Sequence, residues 1–170
     1  MTIRSIWAQS STGAIGAAGT MLWHVPEDFE WFKQQTKGYP VVMGRKTWES
    51  FPDRYRPLPD RDNLVVTHQD GYQAPGASVY ATLDDAIRHA QTLDDDVWVI
   101  GGAEIYRQAM DVVDELWVTD IDTDVEGDAY APEIGPEWQS FWTDPGPDTW
   151  YTSSSGTRYR FVKFRHIPAR

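Results

Sequence analysis

Short apolar runs alternate along this chain with amphipathic stretches, a pattern that predicts strands joined by helices. Ile3 to Gln9 is strand-like. Ser10-Ser11-Thr12-Gly13 then leads into a glycine-spaced stretch through Gly16 and Gly19 to Trp23, read as a long flexible loop. Pro26 suits a first helical turn, Glu27 and Asp28 suit the positive helix start, and Gly38 stops the run, so a helix is predicted over 26–37. Val41-Val42-Met43-Gly44 is a continuous apolar run, as in a strand buried on both faces, and Arg45 to Ser50 opens a second helix. Asn63 to Thr67 and Val97 to Ile100 read as further buried strands, Leu83 to Thr92 and Ala103 to Met110 as helices, and Leu116 to Ile121 as one more strand. Near the end, Tyr159, Phe161 and Lys163 alternate with Arg160, Val162 and Phe164, which predicts antiparallel pairing. The predicted fold is α/β: one domain over residues 1–170, with a mostly parallel central sheet, helices on both faces and an antiparallel C-terminal edge.

Composition narrows the function. A chain of 170 residues, 41% of them hydrophobic, can bury one ordinary core. With no cysteine there is no disulfide frame, no thiolate nucleophile and no zinc site built on sulfur. A formal charge of −11 repels a phosphate backbone, so no nucleic-acid partner is expected. The acid excess is mostly aspartate and lysine is scarce, a pattern produced by a salt-rich habitat or by a GC-rich genome. No apolar run approaches the roughly 20 residues of a membrane helix, and the first residues lack a signal peptide's apolar region; a cytoplasmic protein without a membrane partner is expected. His24, His68, His89 and His166 lack metal-ligand spacing, and no metal is assigned. No nucleophile elbow frames a serine, and most of the nine tryptophans read as packing, Trp23 beside the long loop excepted.

In open α/β sheets ligands bind beyond the carboxyl ends of the strands, which directs attention to the loops after Gln9, Gly44, Thr67 and Ile100. Gly44-Arg45-Lys46-Thr47 offers helix-start N–H groups, two cations and a hydroxyl to a phosphate, and Gly101-Gly102 permits close backbone approach. Each turn alone reads more readily as backbone geometry. On one sheet, the pair suggests a nucleotide cofactor. Asp28 shares a helix face with Trp31 and Phe32. It is either a first-turn acid favoured by the helix dipole or a carboxylate at the edge of an apolar pocket, able to pair with a cationic or amidine-like ligand edge; depth of burial decides between them.

Five segments in order give the chain a clear resemblance to the bacterial dihydrofolate reductase family over nearly its full length. They are Ile6-Trp7-Ala8-Gln9, then the loop from Gly13 to Trp23 with Ile15-Gly16 followed by Trp23-His24-Val25-Pro26-Glu27-Asp28, then Val42 to Ser50, then Leu58-Pro59-Asp60-Arg61-Asp62-Asn63, then Val99-Ile100-Gly101-Gly102-Ala103-Glu104-Ile105-Tyr106. The resemblance implies NADPH-dependent reduction of 7,8-dihydrofolate to tetrahydrofolate, by hydride transfer to pterin C6 with water-mediated protonation of N5. That reaction supports one-carbon metabolism and thymidylate, purine and glycine synthesis. Antifolates of the methotrexate and trimethoprim class are implied inhibitors, and a monomer the implied state.

The residue roles are implied by the same resemblance. Asp28 binds pterin N3 and the 2-amino group, Thr119 supports it, Trp23 holds a water nearby, and Met21 closes over the nicotinamide and pterin. Ile6, Ala8, Phe32, Phe51, Leu58 and Ile100 line the substrate cleft, Arg61 clamps the glutamate α-carboxylate, and Lys33 reaches the tail. Ala8, Ile15, Gly16, Gly19 and Tyr106 belong to the nicotinamide pocket. Gly44, Arg45, Lys46 and Thr47, with Gly101, Gly102, Ala103, Glu104 and Ile105, carry the rest of the cofactor, and the glycine pair is expected to be cis. Two departures stand out: Leu22 replaces a common proline, and Thr67-His68 stands where an Arg often meets the 2′-phosphate. Arg45 and Lys46 are left most of that charge, and cofactor binding is expected to weaken as His68 deprotonates. A pyrimidine reductase of riboflavin synthesis shares the fold and cofactor, but the Asp28 helix and Arg61 argue against it. Intact Asp28, Trp23, Thr119 and Tyr106 argue against a nucleotide-binding module without catalysis.

Overall fold

The computed structural model describes residues 1–16 and 22–167. In chain order its elements are β1 (Thr2–Gln9), β2 (Ala14–Gly16), α1 (Pro26–Thr36), β3 (Val41–Gly44), α2 (Arg45–Ser50), β4 (Asn63–Val66), β5 (Ser78–Tyr80), α3 (Leu83–Leu93), β6 (Asp96–Val99), α4 (Ala103–Ala109), β7 (Glu115–Ile121), β8 (Ala129–Tyr130), β9 (Trp138–Asp144), β10 (Tyr151–Thr152) and β11 (Arg158–His166). One sheet runs β10-β11-β7-β1-β6-β3-β4-β5, and β9 also pairs with β11. From β7 to β5 every pairing is parallel, while β11 is antiparallel to β7, β9 and β10. This is the expected α/β fold with an antiparallel C-terminal edge. No helix among the described residues is long and apolar enough to cross a membrane.

The two faces of the sheet follow from the period-2 alternation of side chains. Ile3 and Trp7 of β1, Val42 of β3, Leu64 and Val66 of β4, and Val97 and Val99 of β6 point to one side, where Leu83, Ala86, Ile87 and Ala90 of α3 and Ile105, Tyr106 and Ala109 of α4 cover them. On the opposite side Ile6, Val41, Met43, Val65, Trp98 and Ile100 meet Trp48 of α2 and Trp31 and Phe32 of α1. Val41, Val42 and Met43 are fully buried, as their unbroken apolar run requires. Each such side chain contributes about 1.5–3 kcal/mol by leaving water.

Local signals set the helix ends. Pro26 opens α1, and Gly38, at φ 84°, takes the left-handed conformation that stops it just past Thr36. The Thr82 hydroxyl caps α3 by accepting the Asp85 N–H at 3.1 Å.

The sequence pattern missed several strands. β5 and β10 are two or three residues long. β9 is exposed from Gln139 to Phe141 and half-buried from Trp142 to Asp144, and follows a Pro- and Gly-rich stretch. Within the stretch read as an uninterrupted loop, residues 14–16 form β2, paired antiparallel with β8. A three-residue strand whose partner lies far along the chain carries no local signal.

Candidate active site

β1 and β7 lie side by side in parallel with Ala8 opposite Thr119, and Asp28 in the first turn of α1 reaches Thr119. Thr119 is 1% exposed, and its hydroxyl donates to Asp28 Oδ1 at 2.6 Å. Protein surrounds the Asp28 carboxyl on most sides, although part of the residue stays open to the cleft, and burial pushes its pKa up to about 6 against the lowering effect of the Thr119 bond. Helix-dipole effects are typically 0.3–1 kcal/mol, whereas a shift of two pH units corresponds to about 3 kcal/mol, so burial wins. Of the two readings of this acid, the pocket carboxylate is the one the structure supports.

Ile6 and Ile100 are buried on the same side of the sheet, with Phe32 and Phe51 packed against their cluster and Leu58 within it. Ala8 and Trp23 adjoin the neighbouring cluster of Val25, Ile121, Tyr159 and Phe161. The Trp23 Nε1 atom is buried without a hydrogen-bond partner among the described residues. A buried N–H of this kind ordinarily finds a water. Arg61 Nη1 donates to Thr36 Oγ1 at 2.8 Å and its Nε to the Pro59 carbonyl at 2.7 Å, so the end of α1 orients the guanidinium. Lys33 is exposed, paired with Glu30 at 3.1 Å and set over the Phe29 ring.

Beyond the neighbouring ends of β3 and β6 lies a glycine cradle. The Gly44 N–H donates to the Gly101 carbonyl at 2.8 Å, and the Gly101–Gly102 peptide is cis, as expected. Gly101 has φ +118°, and a Cβ there would stand 3.2 Å from the Tyr106 ring; a Cβ on Gly44 would stand 3.1 Å from Ile105 Cγ1. Side chains at these positions would collide with Tyr106 and Ile105, so the two glycines let α4 pack closely against the strand ends. Helices α2 and α4 start at Gly44 and Gly102 with no side-chain cap, leaving their first N–H groups for a ligand. The residues present therefore fit a dinucleotide.

Around this cradle, Arg45 pairs with Glu49 at 2.7 Å, Lys46 is exposed and Thr47 half-buried. His68 is exposed, and the Thr67 hydroxyl accepts the Gln69 N–H at 3.2 Å. Glu104 is exposed and paired with Arg107; Ala103 is half-buried. The buried Tyr106 hydroxyl donates to the Ile6 carbonyl at 2.6 Å, and burial raises its pKa. Ile15 packs on the α3/α4 side of the core, and Gly16 ends β2. Gly19 and Met21 lie outside the described residues.

Two features escaped sequence reasoning. Tyr72 donates to Glu49 Oε2 at 2.8 Å, and Glu27 accepts hydrogen bonds from the turn before β11. Both join segments far apart in the chain, and no motif marks them.

The described residues thus bring a half-buried carboxylate, held by Thr119 of β7, and a pair of glycine turns to the ends of parallel strands of one sheet. Comparison with known proteins is more specific, for the sequence profile described as dihydrofolate reductase matches residues 2–165, and the chain belongs to that family. It is 44% identical over 162 residues to the dihydrofolate reductase of Mycobacterium leprae, covering 94% of each chain. It is 43% identical over 164 residues to that of Neisseria meningitidis serogroup B, covering 96% of this chain and 98% of the other. The dihydrofolate reductase of Enterococcus faecalis, solved in complex with NADP(H) and RAB-propyl, superposes with a TM-score of 0.87 at 28% identity, covering 98% of this chain and 97% of that one. The activity is the family's, NADPH-dependent reduction of dihydrofolate, and the family is one that binds dihydrofolate and antifolate inhibitors.

Proposed function

We propose that Asp28 is the residue on which substrate recognition and catalysis turn, and that residues 1–170 work as one dihydrofolate reductase-like domain. The observation carrying this reading is the buried Asp28 carboxylate held by Thr119 at 2.6 Å. Its free oxygen and the one shared with Thr119 accept from N3 and the 2-amino group of the pterin, a bidentate pairing that fixes the ring's orientation. Because the site is poorly solvated, the negative charge acts strongly on the ring and stabilises its protonated form.

Ile6, Ala8, Phe32, Phe51, Leu58 and Ile100 wall the pterin and benzoyl rings. Arg61, already aimed by Thr36 and Pro59, clamps the α-carboxylate of the glutamate tail, with Lys33 beside it. Trp23 Nε1, without a hydrogen-bond partner among the described residues, holds a water near Asp28. The proton for N5 comes from water rather than from Asp28 directly.

NADPH, when bound, supplies the hydride that reduces C6. Gly44, Arg45, Lys46 and Thr47, with Gly101, Gly102, Ala103, Glu104 and Ile105, hold its phosphates and ribose. Ala8, Ile15, Gly16 and Tyr106 would hold the nicotinamide, and Thr67 and His68 would meet the 2′-phosphate. The enzyme acts as a monomer in the cytoplasm, where a reduced nicotinamide pool is maintained.

Mixing the protein with NADPH and dihydrofolate tests the reading. Loss of the reduced-nicotinamide absorbance is expected, abolished by methotrexate and absent when a riboflavin-pathway pyrimidine replaces dihydrofolate. Turnover of the pyrimidine alone would contradict it.

A further inference from the structure

Glu27, one residue before Asp28, is committed elsewhere. Ser153 Oγ donates to its Oε1 at 2.7 Å and the Ser154 N–H to its Oε2 at 2.9 Å, while the Ser155 hydroxyl donates to the His24 carbonyl. The turn these serines form is itself closed by Ser153 N–H to Thr157 O and Gly156 N–H to Ser153 O, both 2.8 Å. Ser153 is 4% exposed, so part of the grip is out of water. The same turn feeds β11, whose Phe161 stacks on Trp31 at 4.3 Å and whose Tyr159 packs with Val25. β11 and its turn thus hold α1 at the residue before Asp28 and again three residues after it.

We propose that Glu27 is a positioning residue for the pterin-binding carboxylate: by clamping the 153–155 turn to the first turn of α1, it holds Asp28 at its depth in the cleft, facing Thr119. The inference rests on the assignment of Asp28 to the pterin. Glu27 itself points to the serine turn, with the His24 imidazole and the Tyr159 hydroxyl as its other titratable neighbours and Asp28 beside it on the helix. Without the clamp, the first turn of α1 is free to lift and water reaches Asp28.

The experiment follows the Asp28 carboxyl by carbon-13 NMR titration in the ligand-free, full-length protein, for wild type, Glu27→Ala, Glu27→Gln and Ser153→Ala, together with KM and kcat. Glu27→Ala is expected to move the Asp28 titration down by about half a pH unit or more, toward the ordinary carboxylate range. It is expected to raise KM for dihydrofolate by about three- to ten-fold with a smaller change in kcat. Glu27→Gln, which keeps an acceptor for one donor, should recover part of both effects. Should Glu27→Ala fail to fold, Ser153→Ala carries the same titration. An Asp28 titration identical to wild type in the folded variant overturns the proposal, whatever happens to Tm. Because the titration needs no turnover, its failure is distinguishable from failure of the Asp28 assignment, which Asp28→Asn tests separately.

Discussion

Glu27 and Asp28 are neighbours in one helical turn, feel one helix dipole and carry the same functional group, yet their surroundings send them opposite ways. The Glu27 carboxylate sits near the surface, and the Ser153 hydroxyl and Ser154 N–H hold its pKa below the ordinary range. Asp28, turned toward Thr119 and accepting its hydroxyl, is pushed up by burial to about 6. The difference is one of solvent and donors, not of backbone position. It teaches that the same helix start builds a structural clasp on one side and a chemical group on the other.

The sharpest way to break the comparison is Asp28→Asn, which keeps the shape and removes the charge. It should slow hydride transfer by about 2–4 kcal/mol in barrier, measured in single turnovers with NADPH at pH 7. Thr119→Ala removes the one side-chain donor that favours ionised Asp28. Its kcat/KM at pH 7 should fall by about 1.5–2 kcal/mol, or ten- to thirty-fold, and the Asp28 titration should rise further.

Stability should separate the two carboxylates by sign. The raised folded-state pKa of Asp28 means that, between its ordinary value of about 4 and 6, the folded protein binds more protons than the unfolded chain. Its burial therefore costs nothing at pH 4 and costs fully above pH 6. After allowance for the lost Thr119 bond, Asp28→Asn should gain about 1–2 kcal/mol in urea unfolding at pH 7, and the gain should vanish at pH 4. Glu27→Gln should instead lose stability at pH 7, by about 0.5–1 kcal/mol for one lost hydrogen bond. Its lowered pKa makes that contribution present above the unfolded value and lost as pH falls through the folded one. The smallest effect is expected at the exposed His68: His68→Arg should tighten NADPH by about two- to five-fold, less at high salt, as a surface charge does.

What could be read from the sequence divides along physical lines. The parallel strands were legible because runs such as Val41-Val42-Met43 must be buried on both faces, and α1 because Pro26 and Gly38 mark its ends. The proposed site was read from short motifs: Gly44 to Thr47 and Gly101 to Tyr106 follow the ends of β3 and β6, which the sheet places side by side, and Trp23 to Asp28 leads into α1. The depth of Asp28 was not, since burial is a property of everything packed around it. Nor was the serine clasp on Glu27, whose partners lie at the opposite end of the chain. The strands β5, β9 and β10 escaped because they are short or exposed and gain their order from neighbours rather than from their own periodicity.

One titration bears on all of this at once. Carbon-13 NMR of the side-chain carboxyls in the ligand-free protein should show Asp28 titrating at about 6 while Glu27 titrates below its ordinary range. Coincident titration of the two acids near pH 4 would place Asp28 in solvent and contradict the account.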